Sequence, residues 1–521
     1  MPRTLNRNHR HTSAVAAATV ALITVLSACS GGDSSDGAAQ GTDALKFAIQ
    51  TPPNSLDPSQ LTVGENAFIW SALYDTLLYM DNNGELKPNA AESWKYSDDR
   101  RTLTLKLRED LTFSNGGKVD ANAVKATVEH TMRTPGPSRA LFKSVDKVEA
   151  FDKRTVVFSL TKPDAVLLYA LAAEGGVIAD PKTVDDKRTV RNPVSSGPYV
   201  LDEAKTEAGT VFSLKRRDNH WNADAFPFRT VDIRLIRDPG AYTNALQSGQ
   251  LNAGSVRVED QARVKAAGFT GTEVKANSLA MLVIGDRAGE VEPALGDVRV
   301  RKAIAMAFDR EKIIKQLLKG VGEPATQQFS PGGPAHDPEL GGLLDYDPQQ
   351  AKKFLAEAGY PDGFSLRMPE IIYAKPFVPT ITQSLADIGI EVKWDAIPPQ
   401  RTYNAYSSKK YPVYFTVESA NAFPRELNWH IPTNTSHNPW GTRDPKLDDL
   451  MAKYHAEPDT DRGTELAKEM NGILTREVWD APLFTLDRQW FTKDGITVLN
   501  TGKSSVPTLR WFGVSGEGAD R

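Results

Sequence analysis

Residues 86–132, LKPNAAESWKYSDDRRTLTLKLREDLTFSNGGKVDANAVKATVEHTM, leave the backbone few options. Leu103, Leu105 and Leu107 share one parity, with Thr104, Lys106 and Arg108 between them. That period of two predicts a strand with one buried face. Ser114-Asn115-Gly116-Gly117 then supplies the residues a tight turn needs. Asp120 stands where a helix N-cap belongs, and Val124, Val128 and Met132 recur at four-residue spacing behind it. The stretch reads as strand, turn and capped helix.

Other segments read in the same way. Residues 45–49 alternate as a strand, and residues 65–79 carry apolar positions suited to a helix. Strands are expected at 156–160, 211–215 and 231–236, with short helices at 165–173 and 242–248. Up to about residue 278 the chain is strand-rich. From residue 279 strands alternate with longer helices: a continuous apolar strand at 279–284, then helices capped by Asp297, Asp309 and Asp347, and strands at 390–394 and 413–417. Helices follow at 447–455 and 462–477. Such alternation predicts an α/β arrangement with helices over the sheet. At 521 residues the chain exceeds a single core. The net charge of −4 argues against a nucleic-acid binder.

Pro88, Ala91-Glu92-Ser93-Trp94, Asp98-Asp99, the Leu-x-Leu-x-Leu-Arg run, Phe113-Ser114-Asn115-Gly116 and Asp120-Ala121 together resemble the signature of one family. It is the solute-binding proteins of peptide and nickel ABC importers, of the dipeptide and oligopeptide-binding type. Residues 52–58, 195–201, 219–221, 297–304 and 358–363 are also similar to that family, so the resemblance spans roughly 45–512. It implies a two-lobed periplasmic-binding-protein (Venus-flytrap) fold of the large peptide-binding type, with mixed sheets and a hinge. The implied division is a first lobe at 45–278 containing an inserted subdomain at about 86–190, a second lobe at 279–482, and a return to the first lobe at 483–521. Two crossings, near Leu279 and Leu483, would form the hinge on which the lobes close.

The N-terminus has the layout of an export signal. Arg3, Arg7 and Arg10 precede an apolar run at 14–26 that is short for a membrane span. Leu26-Ser27-Ala28-Cys29 resembles the bacterial lipoprotein cleavage box, and Cys29 is the only cysteine. The resemblance implies a signal peptide at 1–28, a lipid on Cys29 and a flexible tether at 29–44, so an exported monomer held at the extracellular or periplasmic face of the cell membrane. A lone cysteine also leaves no intramolecular disulfide and no Cys-based zinc site.

Catalytic constellations are not found. There is no His-Glu-x-x-His, and His430 and His437, seven apart in loop-like sequence, read as surface or loop histidines. Gly320-Val321-Gly322-Glu323-Pro324-Ala325 follows a helix and is broken by a proline, which a dinucleotide loop does not tolerate. No cofactor and no metal are expected. Residues 418–440, ESANAFPRELNWHIPTNTSHNPW, mix polar side chains with aromatics as ligand clefts do. Candidate ligand residues are Asn54, Ser55 and Asn66 from the first lobe, with Glu418, Asn421, Arg425, Trp429 and Trp440 from the second. The family's peptide binders usually place an Asp before a Pro here, paired with the peptide's ammonium group, whereas this chain has Phe423-Pro424-Arg425. Glu418 could take the place of that acid, and Arg425 could meet an anionic ligand group. The resemblance thus implies a receptor for oligopeptides or a peptide-like solute that delivers to an ABC permease. A receptor of the same fold for a metal chelate or other polar metabolite, or a ligand-loaded sensor, is the alternative.

Overall fold

The computed structural model describes residues 43–515 apart from 330–332, 399–400, 420–422, 434, 436, 459–460 and 505, and apart from the side chains of 276, 277, 403 and 423. The expected signal peptide, Cys29, nearly all of the tether and Asn421 lie outside the described residues.

Leu45, Phe47 and Ile49 are buried by the alternation of the first strand, Ala44–Ile49. That strand runs parallel to Thr230–Leu235, which pairs antiparallel with Val211–Arg216, and this in turn with Tyr199–Leu201. Phe47 meets Phe68 of helix Ala67–Leu73 edge-on at 4.9 Å. Trp490, Trp511 and Phe512 complete the same core, so the C-terminal segment closes against the N-terminal strand. The buried Arg217 guanidinium donates to the carbonyls of Ser196, Gly197 and Thr112, which fixes residues 195–197 beside the turn that opens at Ser114.

The helix expected over 65–79 is shorter, ending at Leu73. Leu78–Met80 instead pairs with Leu86–Pro88 as a two-stranded ribbon. Leu77 and Leu78 suit either period, and pairing partners supplied from elsewhere in the chain decide for strand. A second core lies under the antiparallel sheet Ala91–Tyr96, Thr102–Leu107, Thr155–Leu160 and Val145–Ala150. Helix Ala121–Arg133 packs on it, capped as expected by Asp120, which accepts from the amides of Asn122 and Ala123.

The longest strand, Thr270–Ile284, pairs antiparallel with Asp480–Thr492 and is flanked by Val413–Ser419. Val274 and Trp490 at one end belong to the first core, whereas Leu279–Ile284 and Ala481–Phe484 belong to a third. The register shifts between Val274 and Ser278, between the two cores. Helices Val298–Met306, Arg310–Gln316 and Pro348–Glu357 carry the expected Asp caps and pack into the third core. So does the parallel pair Phe364–Glu370 and Ile390–Ala396. These two strands start at Gly363 and Gly389, where a Cβ on Gly363 (φ +75°) would stand 1.7 Å from the Gly389 oxygen, so only glycine fits. A fourth cluster joins Leu427, Leu447, Leu450, Leu466 and Met470 from helices Phe423–His430, Pro445–Ala456 and Asp461–Arg476. The segment 418–440, read as loop-like in sequence, therefore contains a helix whose Leu427 is fully buried. Among the described residues no helix is long and apolar enough to cross a membrane.

Candidate functional site

Strand Val413–Ser419 leads to a region of buried polar side chains. Its alternation puts Phe415 toward Phe377 and Phe484 in the apolar core, and sets Tyr414, Thr416 and Glu418 on the other face. Tyr406 stacks on Tyr414 at 4.2 Å, and the Thr416 hydroxyl donates to Glu418 Oε1 at 2.9 Å. The Glu418 side chain is 28% exposed, so solvent reaches it, yet burial still raises its pKa. His437 Nε2 stands 3.8 Å away. Burial first, and then neighbouring His430, push the His437 imidazole down to about 3. His437 is therefore neutral at physiological pH and gives Glu418 no cation.

Behind this pair runs a chain of buried polar groups. The His430 and His437 rings lie 4.6 Å apart, and His430 Nδ1 is 2.8 Å from Asp480 Oδ2. Burial opposes the Asp480 carboxylate, but the His430 hydrogen bond and the nearby Arg287 hold it below its ordinary range. Arg287 donates to the carbonyls of Ile284, His437 and Trp479 and to Asn438 Oδ1, and lies over the Trp479 ring at 4.2 Å. Its desolvation lowers its pKa to about 10. The expectation of surface or loop histidines is thus corrected: His430 and His437 are 2% and 1% exposed. Helix Phe423–His430 and the Arg287 anchor bury them, and neither is a sequence-local feature.

The Trp429 ring lies nearly parallel to the His437 ring, with centroids 6.3 Å apart, and the residue is half-buried. Trp440 is 8% exposed and packs on Gly285, where an added Cβ would come within 2.6 Å of its ring. Arg425 donates from Nη2 to Glu174 Oε1 at 3.1 Å, both side chains being about nine-tenths buried. Arg425 Nη1 and Glu174 Oε2 are buried with no further partner. This ion pair, with the Ala165 amide donating to His455 Nδ1, joins residues 165–174 to helices Phe423–His430 and Pro445–Ala456.

Nearer the N-terminus, Asn54 is exposed, and the Ser55 hydroxyl accepts from the Asp57 amide. Asn66 donates to Thr62 Oγ1 while its own Oδ1 is buried and unpaired. Its neighbour Glu65 accepts from the Gln50 amide and from Arg488. Tyr373 belongs to the same region. Crowding, then the charges of Glu65 and Glu418, hold its phenol above the ordinary value, although the residue is 59% exposed. Glu65, Glu174, Tyr373, Tyr406 and His437 were not legible as site candidates in sequence. Glu65, Glu174, Tyr373 and Tyr406 lie outside the aromatic and polar segment that drew attention, and His437 lies inside it but reads in sequence as a loop histidine.

The loop bearing Asn54 and Ser55 is pinned by charge. His130 contacts Asp57 at 2.9 Å and Asp185 at 2.7 Å. Hydrogen bonding to Asp57 raises the His130 pKa, while Asp57 is lowered despite burial and Asp185 is lowered by His130 and Arg133. The histidine's contribution is complete below its unfolded value of 6.5 and is lost as pH rises through its raised folded value. The aspartates' contribution is complete above 3.8 and is lost as pH falls. Stability from this triad should therefore be largest between those values. His130→Gln is expected to flatten the decline above pH 6.5 in unfolding free energy measured by denaturant titration. An unchanged decline would assign it to other groups.

Among the described residues no group of three His, Cys, Asp or Glu side chains could hold a metal ion. The family profile described as bacterial extracellular solute-binding proteins, family 5 Middle, matches residues 85–438. The glutathione-binding protein GsiB of Escherichia coli (strain K12) is 25% identical over 455 residues, covering 82% of this chain and 86% of that protein. The periplasmic binding protein DppA of Helicobacter pylori, solved with the peptide STSA, superposes with a TM-score of 0.79 at 20% identity, covering 91% of this chain and 98% of its own. NikA of Brucella suis, solved with Fe(III)-EDTA, gives a TM-score of 0.77 at 22% identity, covering 91% and 100%. The fold is thus the two-lobed α/β periplasmic-binding-protein fold.

Proposed function

The chain belongs to the family 5 bacterial extracellular solute-binding proteins, and on that premise we propose that it captures a peptide-like solute bearing a cationic group. Members of this family are the binding components of ABC importers and not enzymes. In our reading the two lobes close on the solute and the closed form delivers it to the permease. Ligand binding favours closure only through contacts that the open form does not make. Asn54, Ser55, Asn66, Glu418, Asn421, Arg425, Trp429 and Trp440 remain the proposed ligand residues, Asn421 lying outside the described residues.

One observation carries the choice of a cationic group. Glu418 is a crowded carboxyl, reachable by solvent, whose pKa burial raises although the nearby His430 opposes the shift, and the histidine 3.8 Å from it, His437, is neutral. A carboxylate in such surroundings is costly until a cation arrives. An ammonium group could pair with Glu418 although the usual Asp-Pro is Phe423-Pro424 here. Trp429 would supply apolar contact area beside it. The export signal and Cys29 support anchoring by lipid, with residues 29–44 as the tether.

Native mass spectrometry of the exported protein tests the ligand class. A ladder of masses fitting short peptides is expected, and a single mass of an acidic or metal-bearing compound would refute the cationic reading. Trp429→Ala should weaken binding about tenfold or more without lowering the melting temperature. Unchanged affinity in a titration calorimeter would remove Trp429 from the site.

A further inference from the structure

At the end of the long strand remote from Glu418 lies a cavity of about 320 Å³. Glu418 pairs with Leu279, and the strand continues five residues to Ile284, a separation of roughly 17 Å at the usual strand rise. We propose that this cavity is a second binding site, for a small oxyanion such as a phosphate or carboxylate group.

Arg287, Arg301, Thr442, Arg443, Lys446 and Arg476 line it. Several of these are already engaged. Arg301 donates to the carbonyls of Leu295 and Glu477, Arg443 pairs with Asp448, and Lys446 pairs with Glu469. The acids of the lining are engaged as well. Asp444 caps its helix by accepting from the amides of Lys446 and Leu447, and the Glu477 carboxylate lies 3.7 Å from Arg301. Three donors have no acceptor. Arg287 Nε and Thr442 Oγ1 are buried without a hydrogen-bond partner, and the Arg287 side chain is only 2% exposed. The exposed Arg476 guanidinium has no ion pair among the described residues. Buried donors left unmade are expensive, and a guanidinium offers the fork geometry that oxyanions accept. Arg476 is the open donor on the cavity surface, and a lining of five cations against two acids leaves the cavity net positive, a charge that an oxyanion balances.

The test uses the full chain and two variants, Arg476→Gln and Thr442→Val, neither of which disturbs an apolar core. Inorganic phosphate, titrated at constant ionic strength, should raise the melting temperature of the wild type saturably. In Arg476→Gln the midpoint should shift by about tenfold or more, as for loss of a charge-assisted contact. Flotation with vesicles containing an anionic phospholipid separates the sources. Vesicle binding that is lost in Arg476→Gln, without a response to free phosphate, identifies the oxyanion as a lipid headgroup. If neither probe binds, or if both variants respond as the wild type does, the proposal is overturned. The same holds if Arg476→Gln lowers the melting temperature but leaves the phosphate response intact. Arg476 would then serve only the carbonyl end of its own helix.

Discussion

Arg310→Met is expected to destabilise the protein by about 3–5 kcal/mol, the range seen when a buried, hydrogen-bonded charge site is broken. Arg310 is 4% exposed and its guanidinium is satisfied by main-chain oxygens. It donates to the carbonyls of Ala325, Pro482, Leu344 and Ala305, which lie up to 172 residues away in sequence. Burial lowers its pKa to about 10, so it remains charged at neutral pH. Methionine recovers the cost of desolvating the cation but leaves several buried carbonyls unpaired, at roughly 1–3 kcal/mol each before relaxation. Lysine should not rescue, because its compact ammonium cannot reproduce the planar fork. Denaturant unfolding at constant m-value checks this. A loss below about 1 kcal/mol would show that water replaces the guanidinium at these carbonyls.

Glu418→Gln should weaken binding of the natural solute by about 2–5 kcal/mol, as for removing one partner of a buried charge pair, while leaving the protein as stable or more so. Glutamine keeps the shape and can still accept from Thr416, so only charge is lost. The pH dependence follows from the raised pKa of Glu418. Above its folded value the carboxylate is present and its burial cost is felt. As pH falls through that value the group protonates, the cost disappears and the ligand loses its partner. Affinity should therefore fall with falling pH in the wild type, and much less so in Glu418→Gln. Calorimetry on both proteins across that range gives the answer. Equal affinities, with equal pH profiles, would place the ligand's cationic group elsewhere.

Helix starts were legible because a cap is a local object. Asp120, Asp297, Asp309 and Asp347 each bond an amide two or three residues on, and a reader of the sequence sees both partners at once. The same holds for the alternation at 102–107 and for the glycines at 249 and 359, whose positive φ ends a helix. Family membership was legible for a related reason, since its wording consists of short runs of adjacent residues spread along the chain. Where apolar positions suited two periods, local reading failed. The helix expected over 65–79 stopped at Leu73 because a strand partner at Leu86–Pro88 was available.

The candidate site was legible only in part. Composition together with the position after a strand singled out 418–440, and Glu418 and Trp429 do flank buried His437. The helix inside that segment, the burial of both histidines and the Arg425–Glu174 pair across 251 residues depend on which elements pack together. By itself the sequence determined the caps, the turns, most strands and the family, all of which rest on contacts within a few residues. Only the tertiary structure decided which charges are buried, which are paired and which donors remain open. Desolvation and long-range pairing exist only once distant segments share a core.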